Sequence, residues 1–183
     1  MLKFPGRTII GSVATAESDF DIVLAALEAR QVRYLVVGGV AVVLHGYARF
    51  TADLDLVIAL DAPNVAAAME ALTSLEYRPR APVPALDFSD PDKRREWIRD
   101  KGLTVFSLWS PRHPATEVDV FVEEPFAMDE ALARATRAQL GPHTVTVAGI
   151  PDLIELKRRA GRPKDLDDIE KLQAILALER GNG

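Results

Sequence analysis

The stretch Y34-L-V-V-G-G-V-A-V-V-L-H-G-Y-A-R-F-T-A-D-L-D-L-V-I58 decides how this chain is read. Tyr34–Val37 is a short apolar, β-branched run, which predicts a buried strand. It meets Gly38-Gly39 at once, and Val40–Leu44 then reads as a compact helix ending near Gly46. Glycine at a strand-to-helix turn lets a ligand approach the backbone closely, and free N–H groups at a helix start suit an anion such as phosphate. The structural alternative is a plain tight turn. Leu54–Ala59 is the next strand. Residues i and i+2 of a strand share a face, so Asp53 and Asp55 project together while Leu54, Leu56 and Ile58 go to the other side.

Two neighbouring carboxylates repel and raise each other's pKa. A divalent cation between them removes that cost, and hard oxygen ligands suit Mg²⁺, which recruits substrate phosphates. A polar edge strand with two solvated aspartates is the bland alternative. A third carboxylate enters at T116-E-V-D-V-F-V-E-E124. Val118, Val120 and Val122 alternate onto one face and Glu117, Asp119 and Phe121 onto the other. If this strand lies beside 54–59, Asp119 faces the same site. Three carboxylates beside a phosphate-cradling turn suit two-ion phosphoryl transfer, with Mg²⁺ expected and Mn²⁺ the alternative.

Gly-Gly, thirteen residues, then Asp-x-Asp, with a later strand aspartate, resembles the nucleotidyltransferase superfamily of DNA polymerase β type. Arg49, Thr51, Asp53 and Asp55, preceded by His45-Gly46, resemble its minimal bacterial AbiEii-type branch. The superfamily often carries Gly-Ser where this chain has Gly38-Gly39-Val40, so a hydroxyl that would touch a triphosphate is absent. The C-terminal Lys157, Arg162, Lys164, Asp165 and Asp168 resemble that branch's final motifs, in which a lysine contacts nucleotide phosphates and a downstream aspartate completes the site. The resemblance implies Lys157 and Asp165 as functional residues, with Asp168 as the alternative. From spacing alone, Lys157 lies on the apolar, inward helix face, as a phosphate ligand or as a snorkelling lysine at the edge of the stripe. Asp165 reads equally as an N-cap, with Asp168 imitating a capping box.

The resemblance implies an α/β fold: a mixed sheet of about five strands flanked by helices. Residues 1–150 would form the core and 151–183 a C-terminal helical segment packed on it. It also implies an enzyme that moves a nucleoside monophosphate from an NTP to an acceptor hydroxyl on tRNA, protein or a small molecule. A type IV toxin role with a cognate antitoxin fits this branch. Asp53, Asp55 and Asp119 would hold metal, and Gly38, Gly39, Arg49, Thr51, Lys157 and Asp165 nucleotide. The rival is a non-catalytic nucleotide- or RNA-binding module of the same fold.

Working outward, Glu17–Arg30 predicts an amphipathic helix through Phe20, Val23, Leu24 and Leu27. Pro63 opens a helix continued by Asn64–Leu75. Residues 78–92, with four prolines, read as an exposed loop. Asp92–Lys101 is a charged helix, Leu103–Trp109 and Glu117–Val122 are strands, and Met128–Ala135 is a helix. Gln139–Val147 holds a hairpin around Gly141-Pro142. Pro151–Ala160 and Asp165–Leu178 are helices, the last with a core stripe of Leu166, Ile169, Leu172 and Leu176. His45 suits helix–strand packing, Arg49 a phosphate or a pair with Asp53, and Trp97 and Trp109 core or loop anchors, with base stacking as their alternative use.

Composition bounds the rest. The 183 residues make about one domain. With no cysteine, disulfides, thiolate metal sites and cysteine nucleophiles are excluded. His45, His113 and His143 share no metal-ligand spacing. No apolar run reaches the ~18 residues of a membrane span. MLKFPGRTIIGSV is too short and too broken for a secretory signal, so a cytoplasmic protein is expected. A net charge of −5 argues against indiscriminate nucleic-acid coating. Residues 93–101 and 151–164 each carry five basic and two acidic side chains, as phosphate contacts or as solvated helix faces.

Overall fold

Ser18 caps the first helix of the computed structural model, which describes residues 18–181. The N-terminal stretch weighed above as a leader, and Glu17 of the expected first helix, lie outside the described residues. The Ser18 side chain accepts from Asp21 N–H while the Asp21 carboxylate accepts from Ser18 N–H, a full capping box that starts α1 at Asp19. Val23, Leu24 and Leu27 of α1 (Asp19–Ala29) are buried as expected.

The elements then run β1 (Tyr34–Val36), α2 (Gly38–Leu44), β2 (Asp53–Ile58), α3 (Ala62–Ser74), β3 (Arg78–Pro79), α4 (Pro91–Lys101), β4 (Val105–Trp109), β5 (Glu117–Phe121), α5 (Met128–Ala133), β6 (Thr136–Leu140), β7 (His143–Val147), α6 (Ile150–Ala160) and α7 (Pro163–Gly181). The strands form one mixed sheet in the order β3-β4-β5-β2-β1-β7-β6. It has seven strands where about five were expected. One addition is β3, two residues at the sheet edge, where Pro79 is tolerated because an edge residue can do without a ladder donor. The expected hairpin is longer than Gln139–Val147, its first strand starting at Thr136, and it joins the same sheet through a second strand that runs parallel to β1.

The proline-rich segment 78–92 is therefore not a plain exposed loop. Besides β3 it holds a 3₁₀ turn, Ala85–Ser89, that buries Phe88 against Phe106 at 5.1 Å between ring centroids. Trp97 stacks on the same Phe106 at 5.2 Å, as a core anchor. Four of the five basic side chains of 93–101 are engaged locally. Buried Arg94 donates to Phe88 C=O, Lys93 pairs with Asp87, Arg95 with Asp92 and Arg99 with Asp100.

The core is one cluster fed by alternate residues of the central strands. Leu54, Leu56, Ile58, Val118, Val120 and Val122 are buried, as their alternation predicts. In α7 the expected stripe shifts. Leu172 is buried and Ile169 and Leu176 half-buried, but Leu166 is 62% exposed. The buried positions of the first turns are Asp165 and Asp168, which face Lys157 of α6. No helix among the described residues is long and apolar enough to cross a membrane.

Candidate active site

The parallel pairing of β2 with β5 sets the site. Its register puts Asp55 opposite Asp119 and Asp53 opposite Glu117. Directly opposed residues of a pair share a face, so all four carboxylates stand on one side of the sheet while their leucine and valine neighbours enter the core. Asp119 thus lies where its strand position predicted. Asp53 is exposed; Asp55 and Asp119 are half-buried.

Gly38 shows why this site needs glycine. Its φ is +63°, and a Cβ built on it would lie 1.8 Å from Asp55 Oδ2. The Asp55 carboxylate occupies the volume a side chain at 38 would fill. Gly39 is similarly tight, since a Cβ there would come within 2.5 Å of Thr51 Oγ1 and 3.2 Å of Arg49 Nη2. Both glycines belong to the first turn of α2, which therefore begins two residues before the expected Val40. The Gly39 N–H, read from sequence as a free donor, hydrogen-bonds the Asp55 carboxylate.

Burial pushes the Asp55 carboxyl up, Asp119 and Asp53 push it further, and the Gly39 N–H and the Lys157 charge only partly compensate; it reaches about 6. Burial also raises Asp119, and the charges of Glu117 and Asp53 add to it against a hydrogen bond from Ser107. Asp119 Oδ1 is buried with no hydrogen-bond partner among the described residues. Such an orphan is costly and calls for a functional explanation. The carboxylates share a face without forming a ready-made cage: among the described residues no three acidic or imidazole groups are close enough together to hold an ion. Ser107 stands across from Asp119 on the β4 side, where the two residues are register partners, and partly offsets the rise of its carboxyl. Ser107 was not singled out in the sequence. Its signal was the alternation V-F-S-L-W, which buries Phe106 and Leu108 and turns Ser107 to the carboxylate face.

Beside the glycine turn lies a second charged group. Lys157 points inward, as its helix position predicts, with Nζ 2.6 Å from Asp168 Oδ2 and 3.6 Å from Asp165 Oδ1. Arg49 Nη1 reaches the same Asp168 oxygen at 2.5 Å, so its carboxylate partner is Asp168 and not Asp53. Arg162 grips Asp165 at 2.6 Å. Asp165 is not the N-cap of α7. The helix starts at Pro163, and Asp165, in its first turn, accepts from Arg162 N–H, the reaching-back half of a capping box. Burial raises the Asp165 carboxyl, but Arg162 and Lys157 outweigh it and hold it below the usual carboxylate range. Asp168, named only as the alternative, is the aspartate that joins Lys157 to Arg49. His45 serves packing: its Nε2 lies 2.8 Å from Ala148 C=O, tying the end of α2 to the start of α6.

The crystal structure of ANT(2")-Ia in complex with adenylyl-2"-tobramycin matches with a TM-score of 0.59 at 15% identity, over 88% of this chain and 89% of that one. The lincomycin-bound lincosamide antibiotic adenylyltransferase LnuA matches with a TM-score of 0.54 at 17% identity, over 84% and 93%. The chain shares the fold of these two structures. At these identities the likeness is one of fold. No family model matches the sequence, and no curated protein does.

Proposed function

We propose that this chain is a nucleotidyltransferase, moving a nucleoside monophosphate from an NTP to an acceptor hydroxyl with release of pyrophosphate. The observation that carries the reading is the Asp119 carboxylate: register partner of Asp55, on the face of Asp53, with one buried oxygen left without a partner. The donor set is three carboxylates with hard oxygen atoms, two of them raised in pKa by burial and mutual repulsion, which suits Mg²⁺, with Mn²⁺ as the alternative. Asp53, Asp55 and Asp119 would hold it by drawing together on their shared face, since as they stand no three groups there close on one ion. When bound, the ion would neutralise triphosphate charge and acidify the attacking hydroxyl.

The chain's own groups supply the rest. Asp119, with its free oxygen, accepts the proton of the acceptor hydroxyl as the new P–O bond forms. The Gly38–Gly39 turn admits the phosphates close to the backbone, and Thr51, against Gly39, lines the same approach. Lys157 and Arg49 balance the charge of the triphosphate, and Asp165 and Asp168 hold those cations in place. The acceptor is tRNA, a protein or a small hydroxylated molecule. By resemblance to the AbiEii-type branch, the setting is a cytoplasmic type IV toxin paired with an antitoxin.

One observation favours the rival, a binding module without turnover. Val40 supplies no hydroxyl at the turn. Incubation with α-labelled NTPs, Mg²⁺ and total RNA or lysate decides between them. Label transfer that vanishes in Asp53→Ala supports the transferase. Tight NTP binding with no transfer to any acceptor supports the module.

A further inference from the structure

The carboxylate face continues past Asp119 onto β4 and β3, and its character changes there. Ser107 is the register partner of Asp119, and Trp109, two residues on, shares its face. Arg78 is the register partner of Trp109. Arg80, two residues further, donates its N–H to Ser107 C=O, so it too lies on this face. The guanidinium of Arg80 sits 5.5 Å from the Trp109 ring centroid. Glu117 fixes it there through two bonds, from Nε at 3.2 Å and Nη2 at 2.9 Å. Trp109 is 37% exposed although it carries one of the largest apolar surfaces in the chain, and Arg78 is exposed beside it.

The acidic centre is therefore flanked by cations on both sides. Lys157 and Arg49 lie by the glycine turn, on the β1 side of β2. Arg80 and Arg78 lie on the opposite side, beyond β5. The first pair suits the triphosphate. The second starts two residues along β4 from the register partner of Asp119, on the same face, and suits the other reactant. Its chemistry is a planar aromatic face topped by a guanidinium, with a second arginine alongside. Aromatic rings stack bases of any sequence, and arginine pairs with phosphate. A polycationic acceptor needs free carboxylates, whereas the carboxylate nearest this edge, Glu117, is already neutralised by Arg80.

Resting on the transferase reading for the direction of attack, we propose that Trp109, Arg80 and Arg78 form the acceptor subsite, and that it takes the terminal nucleotide of a single-stranded nucleic acid. The base stacks on the Trp109–Arg80 pair, the adjoining phosphate meets Arg78, and the 3′-hydroxyl is directed to Asp119.

Fluorescence anisotropy of labelled single-stranded RNA of about ten nucleotides, within the span such sites cover, tests the subsite without NTP. DNA of the same sequence runs in parallel to distinguish the two sources. Trp109→Leu should weaken binding of the preferred strand about tenfold, and Trp109→Phe should restore most of it. Arg78→Gln should reduce the salt dependence of log Kd by roughly one phosphate contact. Thermal melts of each variant guard against misfolding. Equal affinity in wild type, Trp109→Leu and Arg78→Gln overturns the proposal. So does label transfer to an aminoglycoside or a protein that Trp109→Leu leaves unchanged, and that result keeps nucleotidyl transfer intact. Strand binding that depends on Trp109, with no label transfer to any acceptor, supports the subsite and refutes the transferase reading alone.

Discussion

Two charged clusters lie side by side in this fold and are built on opposite principles. Around Lys157, every buried charge has its counter-charge. Asp168 receives both Lys157 and Arg49, and Asp165 receives Arg162 and Lys157. On the β2–β5 face Asp53, Asp55 and Asp119 carry the same sign, the Asp55 and Asp119 carboxyls are raised in pKa, and one Asp119 oxygen has no partner. The first cluster is complete in itself and aims its cations. The second is complete only with something added. Stability should therefore reside in the paired cluster and chemistry in the unpaired one, and substitutions should separate the two.

The sharpest separation is between Asp168→Ala and Asp55→Asn. Asp168→Ala leaves Lys157 buried without its closest anion, which costs about 3–5 kcal/mol. Urea denaturation should register the loss, and the double variant Asp168→Leu with Lys157→Met should recover most of it. Asp55→Asn should do the reverse. The Asp55 carboxyl titrates near 6 in the fold, against 3.8 as an ordinary aspartate. Protonation therefore favours the folded state. Below about pH 4 the group is neutral in both states and costs nothing; between about 4 and 6 the cost of ionising it grows, and above 6 it is fully present, at up to about 3 kcal/mol. The neutral amide keeps an acceptor for the Gly39 N–H and removes that cost. Asp55→Asn should thus raise Tm at pH 8, leave it nearly unchanged at pH 4, and abolish label transfer. Mg²⁺ should likewise raise the wild-type Tm more at pH 8 than at pH 5, since at pH 5 protons compete for the carboxylate. If Asp55→Asn melts lower at pH 8, the carboxylate face is not the strained region described here.

How much of this contrast was legible differs between the clusters for a physical reason. Strand alternation is local, so it placed Asp53, Asp55 and Asp119 on the correct faces of their strands. That β2 and β5 would be neighbours was an assumption, since no local pattern encodes which strands pair. The carboxylate partner of Arg49 lies 119 residues along the chain; nothing near Arg49 reveals it, and Asp53, the carboxylate weighed for it, is not that partner. In α7 two stripes compete, one through Leu166 and Ile169 and one through Asp165 and Asp168. Hydrophobicity chose the first, but Lys157 decides for the second, because a buried ammonium needs carboxylates more than a helix end needs one more leucine. β3 was hidden because a two-residue strand ending in proline carries no periodicity. Ser107 was visible in the alternation of its strand but had no meaning until Asp119 stood opposite.

Gly38 joins the two clusters and offers a smaller test. Gly38→Ala places a side chain at φ +63°, which costs about 1–2 kcal/mol by itself. The new Cβ also claims the position of Asp55 Oδ2, so the carboxylate must swing away from its seat. Tm should fall modestly and transfer should fall far more steeply. The Asp55 carboxyl, followed by ¹³C NMR titration, should drop from about 6 toward its ordinary value as it leaves the crowded face. A titration that stays near 6 would mean Gly38 is a turn residue with no part in seating the carboxylate.

The smallest effect tests the exchanged stripe of α7. Leu166→Ser replaces a side chain that is 62% exposed, one position after the buried Asp165 and six before the buried Leu172. If the helix faces Lys157 with its aspartates, the change removes an apolar group from solvent contact only, and stability should move by no more than about 0.5 kcal/mol. If the leucine stripe instead faced the core, the same substitution would empty a packed position and bury a hydroxyl, and the urea midpoint would fall clearly. The measurement is decisive because the two orientations differ by one residue of helical phase. The orientation that buries Leu166 would also turn Asp165 and Asp168 toward water, leaving Lys157 and Arg49 without the carboxylates that hold them beside the glycine turn.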